Sequence, residues 1–272
     1  SGPVPAVGSA VQDLAAGDRV ALEVGLPCES CEYCDIGRYN ICRGMKFRSS
    51  AKAFPHAQGT LQERVNHPAR WCHKLPPALS LDLGAVLEPL SVAMHARDRA
   101  NLPEGSTVLV LGAGAVGLLA AAISKAANAK TVVIADIQKD RIDFAVQNGF
   151  ADASVLVPME RPQTIEDKLA YAQRVADMVK NTIVNGEAVG EVHAVYECTG
   201  VETCVQASIY ATKPGGKAIA LLANRPAAMP DLSLLVTHHF KGIDNIPKAF
   251  SMAGQVKDEE GKLVLKVVVD ME

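Results

Sequence analysis

Four of the chain's seven cysteines, Cys28, Cys31, Cys34 and Cys42, lie within the fifteen residues CESCEYCDIGRYNIC, on spacers of two, two and seven. Three uses of so many thiols compete. Disulfides would have to close strained small rings across the two-residue spacers, and no secretory context supports them. Burial as unrelated small apolar side chains fits poorly with the neighbours Glu29, Ser30, Glu32, Tyr33, Asp35 and Arg38, which are poor core material. Four thiolates on short spacers do supply the charge and geometry of a closed tetrahedral zinc site. Such a site keeps no coordination position for water. Its metal would pin a loop that has too little apolar material to pin itself. A nucleic-acid finger would need a basic recognition helix, whereas this loop is mildly acidic.

A second group of residues suits a different chemistry. TVLVL (107–111) is followed by Gly112, Gly114 and Gly117 in a G-x-G-x-x-G spacing, by an alanine-rich stretch to about Asn128, and by TVVIAD ending at Asp136. Alone, three such glycines can be a helix-packing turn. With a strand before and a helix after, they permit a tight turn, close approach of backbone to a pyrophosphate, and close packing of helix on strand. The helix N-terminus would offer unpaired amides and a positive dipole end to the phosphates. Asp136, roughly twenty residues on, is placed to accept hydrogen bonds from the ribose hydroxyls of an adenosine. A carboxylate there repels the 2′-phosphate of NADP, which favours NAD. Arg141 pulls the other way, because an arginine can accept that phosphate; it can equally be a surface cation or a partner for Asp136.

Glu88 precedes Pro89 in LDLGAVLEPLSVAMHA (81–96). It is expected at a helix start in apolar surroundings, either as a site carboxylate or as an acid complementing the helix dipole. His56, His67, His73, His95, His238 and His239 are scattered and are expected to be structural or exposed rather than ligands. Cys72, Cys198 and Cys204 read as buried small residues.

These groups need elements to position them. A chain of 272 residues suggests about two domains. At 49% hydrophobic and 21% charged it can bury real cores. A net charge of −3 offers no basic surplus for a phosphate backbone, so no nucleic-acid partner is expected. No apolar run reaches the ~18 residues of a membrane span; no membrane partner is expected either. The opening SGPVPAVGSAVQDLAAGDRV has no Met, basic n-region or apolar h-region, so it is not a signal peptide. It reads as a β-domain already under way, and truncation ahead of Ser1 is expected.

Beyond Asp136, ASVLV (153–157), HAVYECTG (193–200) and GGKAIALLA (215–223) are expected as the third, fourth and fifth strands, with ETCVQASIYATK a helix before the last. Strands alternating with helices predict an α/β fold, a Rossmann doubly wound parallel sheet. The mostly polar QTIEDKLAYAQRVADMVKNTIV (163–184) is expected to be a helical surface excursion.

The four-cysteine loop, EPLSV, LGAGAVG, the strand ending in Asp136, ECTG and LVTHHF resemble the ordered motifs of the medium-chain zinc-dependent dehydrogenases. Within them the chain is most similar to the sorbitol, xylitol and arabinitol dehydrogenase branch, its fungal members especially. The resemblance implies a GroES-like, β-rich catalytic domain at 1–92, a Rossmann domain at 93–223, and a return to the catalytic domain at 224–272, closed by a strand in KLVLKVVVD. It implies NAD as cofactor and zinc-assisted oxidation of a secondary alcohol of a small-molecule polyol to a ketose. A cytoplasmic homo-oligomer, dimer or tetramer, is expected. Residue by residue, Glu88 matches the carboxylate beside the catalytic zinc. Val116, Asp136 and Arg141 match cofactor contacts, with Gly112, Gly114 and Gly117 forming the phosphate turn. Thr199 and Gly200 match the turn alongside the cofactor. Cys28, Cys31, Cys34 and Cys42 match structural zinc ligands. The family's catalytic zinc ligands, a cysteine and a Gly-His-Glu motif, precede SGPVPAVG and are not in this sequence. The stretch ALLANRPAAMPDLSLLVTHHF is shorter than in the family, and a gap is expected there. Two alternatives remain: a non-catalytic, zinc-stabilised NAD-binding or interaction protein, and a zinc alcohol or threonine dehydrogenase.

Overall fold

A computed structural model describes residues 1–48, 54–219 and 232–270. The expected end of the fifth strand at 220–223, the junction at 223/224 and the short stretch 220–231 lie outside the described residues. The chain divides into two compact units. One comprises Ser1–Leu87, His238–Gly254 and Val267–Glu272; the other comprises Glu88–Thr237 and Gln255–Lys266.

The first unit is built from short antiparallel strands. Gly2–Pro3, Arg19–Leu22 and Cys72–Lys74 form one three-stranded sheet, and Gly25–Leu26 pairs with Lys46–Phe47. Leu14, Val20, Trp71 and Leu75 are buried among them. With so few apolar side chains, polar staples carry much of the order. Arg48 is 8% exposed. Its guanidinium donates to Gln58 O at 2.8 Å and Asn66 O at 2.7 Å and lies 3.1 Å from His67 Nδ1. Arginine has no acceptor, so His67 is neutral, with its proton on Nε2 directed at Glu23 O, 3.0 Å away. KLVLKVVVD contains the strand Lys266–Asp270, which pairs with Val236–Lys241.

The second unit holds a five-stranded parallel sheet. Its strands are β1 (Thr107–Leu111), β2 (Thr131–Asp136), β3 (Ala153–Leu156), β4 (Val192–Glu197) and β5 (Thr212–Ile219), in the spatial order β5-β4-β1-β2-β3. β1 and β2 are almost wholly buried, which is why they read as continuous apolar runs rather than alternating ones. Helices α1 (Ala115–Ala126) and α2 (Lys139–Gln147) pack against β1, β2 and β3. Helix α4 (Glu202–Ala211) packs against β4 and β5.

Helix α3 (Ile165–Lys180) corrects an expectation. It is no surface excursion. Tyr171, Ala172, Val175, Ala176 and Val179 are buried in one cluster with Leu109 and Leu111 of β1, Val133 of β2 and Ala207 of α4. A stripe spaced at one and four residues was present all along, hidden by the polar residues on the helix's other side. The helix begins where Thr164 Oγ1 accepts the Asp167 amide at 3.1 Å.

Glu88 is a second correction. The helix Leu81–Ala100 runs through Pro89, so Glu88 stands in mid-helix, not at a helix start, and it is exposed rather than in apolar surroundings. Proline's φ suits a helix, but it lacks the N–H and its ring crowds the carbonyl four residues earlier, so this helix continues at the expense of one backbone bond and of that crowding. Cys72, Cys198 and Cys204 are partly exposed rather than buried.

Candidate functional site

The cysteine loop is shaped by backbone geometry. Cys31 caps a single helical turn, Glu32–Asp35, which puts Cys34 on the same turn. The chain then reverses through Gly37 at φ +76, with Gly37 N donating to Cys34 O at 3.0 Å and Arg38 N to Tyr33 O at 2.7 Å. A 3-10 turn, Tyr39–Ile41, delivers Cys42. The four sulfurs lie within 4.8 Å of one another. Cys31 Sγ is 3.7 Å from Cys34 Sγ and 3.9 Å from Cys42 Sγ. Sulfurs about 2.3 Å from a tetrahedral zinc stand about 3.8 Å apart, whereas a disulfide needs about 2.05 Å. The donor set therefore fits zinc and is not disulfide-bonded.

The sulfurs differ in acidity. Hydrogen bonds from the Ser30 amide and hydroxyl draw the Cys28 thiol down to about 6. The Cys34 amide leads the lowering at Cys31. Withdrawal from water pushes Cys34 up to about 11. Four sulfurs this close cannot all ionise at once without a cation among them. A zinc ion would make all four thiolates and leave no open coordination position, giving a structural rather than a catalytic centre. Arg43–Glu32 at 2.9 Å and Arg70–Glu29 at 2.8 Å brace the loop's outer side.

The glycine turn leaves the end of β1. Gly112 adopts φ +99, and a Cβ built on it would lie 2.9 Å from Thr199 Cγ2. At Gly117 a Cβ would meet Gly112 O at 1.8 Å, so no side chain fits there while α1 packs against the strand. Gly114 faces open space and caps α1 without any side-chain hydrogen bond. Among the described residues no side chain accepts from the first amides of α1, at Ala115, Val116 and Gly117, which leaves them available to an anion. Gly114 and Val116 are partly exposed.

Asp136, at the end of β2, is already engaged. Its Oδ2 accepts Ala113 N at 2.6 Å and its Oδ1 accepts Gln138 N at 2.8 Å. An ionised carboxylate has about four acceptor positions, so roughly half remain for ribose hydroxyls. No ion pair joins Arg141 to Asp136 among the described residues; Arg141 Nε is instead buried without a hydrogen-bond partner.

Thr199 and Gly200 form an exposed turn after β4. Glu197, not singled out from the sequence, holds that turn: its carboxylate accepts Thr199 N at 2.7 Å, the Thr199 hydroxyl, and Gly200 N at 3.0 Å. The signal was present in E-x-T-G, an acid followed by turn residues. Between these groups the Cys198 thiol, though partly exposed, is pushed up to about 12 by withdrawal from water and by the Glu197 charge. The second unit thus brings together Gly112, Gly114, Val116, Gly117, Asp136, Thr199 and Gly200. Glu88 joins no cluster of metal-ligating atoms: among the described residues the one group of three or more is the four cysteines.

Residues 1–77 match the alcohol dehydrogenase GroES-like domain family, and residues 115–244 match the zinc-binding dehydrogenase family. The chain is 40% identical over 216 residues to "Probable D-xylulose reductase A" of Emericella nidulans, covering 79% of this chain and 55% of that protein. It is also 40% identical over 216 residues to sorbitol dehydrogenase of Bos taurus, covering 79% and 55%. The chain therefore spans about half the length of the curated relatives it matches. Among solved structures, an oxidoreductase of unknown specificity from Escherichia coli superposes with a TM-score of 0.76 at 25% identity, covering 100% of this chain and 80% of that one.

Proposed function

The chain belongs to the zinc-binding dehydrogenases, and from that premise we propose that it is an NAD-linked polyol dehydrogenase. The reaction is oxidation of a secondary alcohol of a sorbitol-, xylitol- or arabinitol-like polyol to a ketose. One observation carries the reading: the glycine turn tied by Ala113 N to the carboxylate of Asp136. It supports a dinucleotide whose pyrophosphate meets the first amides of α1 and whose adenosine ribose meets Asp136. Arg141, with its unpartnered Nε, completes the adenosine side, and Thr199 and Gly200 line the other.

Bound NAD supplies the hydride acceptor. The residues named here bind and orient it, and the close packing at Gly112 and Gly117 sets how near the backbone comes to the phosphates. Zinc in the Cys28, Cys31, Cys34 and Cys42 site holds the loop. Glu88 is assigned to the carboxylate beside a catalytic zinc by family resemblance alone. In domain terms, family resemblance assigns 1–92 to the GroES-like catalytic part, 93–223 to the Rossmann part and 224–272 to the return, whereas the compact units change over at 87/88 and leave Gln255–Lys266 with the second. The protein acts on a small molecule in the cytoplasm as a dimer or tetramer. No helix among the described residues is long and apolar enough to cross a membrane.

The test is NADH formation from NAD with sorbitol, xylitol and L-arabinitol, followed by absorbance, beside calorimetric titration with NADH. Saturable NADH binding and turnover with at least one polyol are expected. A second reading, an NAD-binding protein without turnover, is favoured by the restriction of metal-capable clusters to the four cysteines among the described residues. It predicts NADH binding with no NADH formation from any of the three. A well-folded chain that binds no NADH defeats both.

A further inference from the structure

The four sulfurs arrive on two limbs of one loop. Cys28 comes just after the strand Gly25–Leu26, and Cys42 closes the 3-10 turn Tyr39–Ile41. The limbs meet where the Cys28 amide donates to Cys42 Sγ at 3.2 Å. No residue of the helical turn Glu32–Asp35 or of the 3-10 turn is buried. Apolar packing inside the loop therefore does not set the distance between the limbs.

Arg70 and Trp71 reach both of them. On the first limb, Trp71 O accepts Glu23 N at 2.9 Å, and Arg70 pairs with Glu29, next to Cys28, at 2.8 Å. On the second, the Trp71 indole lies 4.8 Å from the Tyr39 ring between centroids, at an interplanar angle of 53°. Tyr39 O in turn accepts Cys42 N at 2.9 Å. These ties differ in strength. The Arg70 and Glu29 side chains are 59% and 48% exposed, and an ion pair so open to water contributes little. Trp71 is 7% exposed and Tyr39 is half-buried, so their ring contact adds to the apolar area it covers. Burial, followed by the Glu23 carboxylate beside it, raises the pKa of the Tyr39 hydroxyl.

We propose that Trp71 is the positioning residue of the four-sulfur metal site. Its buried indole seats the Tyr39 ring, and the turn that Tyr39 opens holds Cys42 Sγ against Cys28. Trp71 offers the metal no ligand atom; it acts through Tyr39. This rests on the zinc reading above. Partners that orient metal ligands from outside commonly govern metal affinity by about 10–100-fold.

Tyr39→Leu removes the seated ring, whereas Tyr39→Phe keeps it and removes only the hydroxyl beside Glu23. Zinc affinity of the full chain, read by competition with a chromophoric chelator, is expected to fall about tenfold in Tyr39→Leu and to stay unchanged in Tyr39→Phe. Trp71→Leu should lose zinc affinity to a similar extent, and Trp71→Phe should recover most of it. The rise in melting temperature on adding zinc should shrink in Tyr39→Leu. Trp71 is the chain's single tryptophan, so its emission should shift when the chelator withdraws zinc from the unsubstituted chain. Unchanged zinc affinity in Tyr39→Leu overturns the proposal. So does an equal loss in Tyr39→Phe, which would assign the effect to the hydroxyl, or no recovery in Trp71→Phe. A melting temperature lowered equally with and without zinc would mark a general packing role and also overturns it. If the leucine variants do not fold, emission of Trp71 that is indifferent to zinc withdrawal overturns it. An unsubstituted chain that takes up no zinc overturns the zinc reading itself, before any variant is compared.

Discussion

At the scale of single residues, the glycines carry the sharpest constraint. A Cβ at Gly117 would stand 1.8 Å from Gly112 O and 2.9 Å from Gly112 C, both backbone atoms that cannot rotate aside. Gly117→Ala should therefore cost about 2–3 kcal/mol by overpacking, lower the melting temperature by roughly 5–10 °C, and weaken NADH binding, as calorimetry and titration would record. An alanine at 117 with an unchanged melting temperature would mean that α1 does not meet the strand as described. This site was legible in the sequence because its signals are local: a fixed glycine spacing, an apolar strand, an acid about twenty residues on. Glu197 was not, because its role lies in which backbone amides it reaches. Glu88 was misplaced because proline was read as a helix start, when burial of Pro89 within the helix decided otherwise.

At the scale of elements, the cysteine loop and α3 show opposite ways of being ordered. The loop contains one helical turn and one 3-10 turn, and of its four cysteines Cys42 alone is buried. Its order comes from what the sulfurs share. Metal analysis should return about one zinc per chain from this site, and a strong chelator should lower the melting temperature by about 5 °C or more. A melting temperature indifferent to chelation after zinc release would remove the structural role. Four thiols so close in sequence announced this loop plainly. Helix α3 is held instead by Tyr171, Val175 and Val179 against the sheet. Its burial was not apparent from composition, because an amphipathic helix is judged by one side and α3 shows mainly charged and amide residues on the other. The order of the five strands was likewise expected only as a class, parallel and doubly wound. Which strand lies beside which depends on long-range pairing that no local stretch encodes.

At the scale of the whole molecule, acid sensitivity has a definite origin. Burial lowers the pKa of His67, and the Arg48 charge adds to this against the opposing pull of Glu23. The folded chain thus resists taking a proton that the unfolded chain accepts near 6.5. The stability contributed by neutral His67 is complete above that value and is lost as pH falls through it toward the lower folded pKa. Chemical-denaturation midpoints should hold steady from about pH 8 to 7 and decline below about 6.5, with a shallower decline in His67→Gln. An identical profile in that variant would assign the acid sensitivity elsewhere. The anchoring of Ala113 by Asp136 has a further consequence for anyone redesigning cofactor preference. Exchanging that acid for a neutral or basic residue, the usual route toward a phosphorylated ribose, also unties the loop that must receive the diphosphate. A successful swap would need a second substitution able to hold the amide of residue 113 from a new direction.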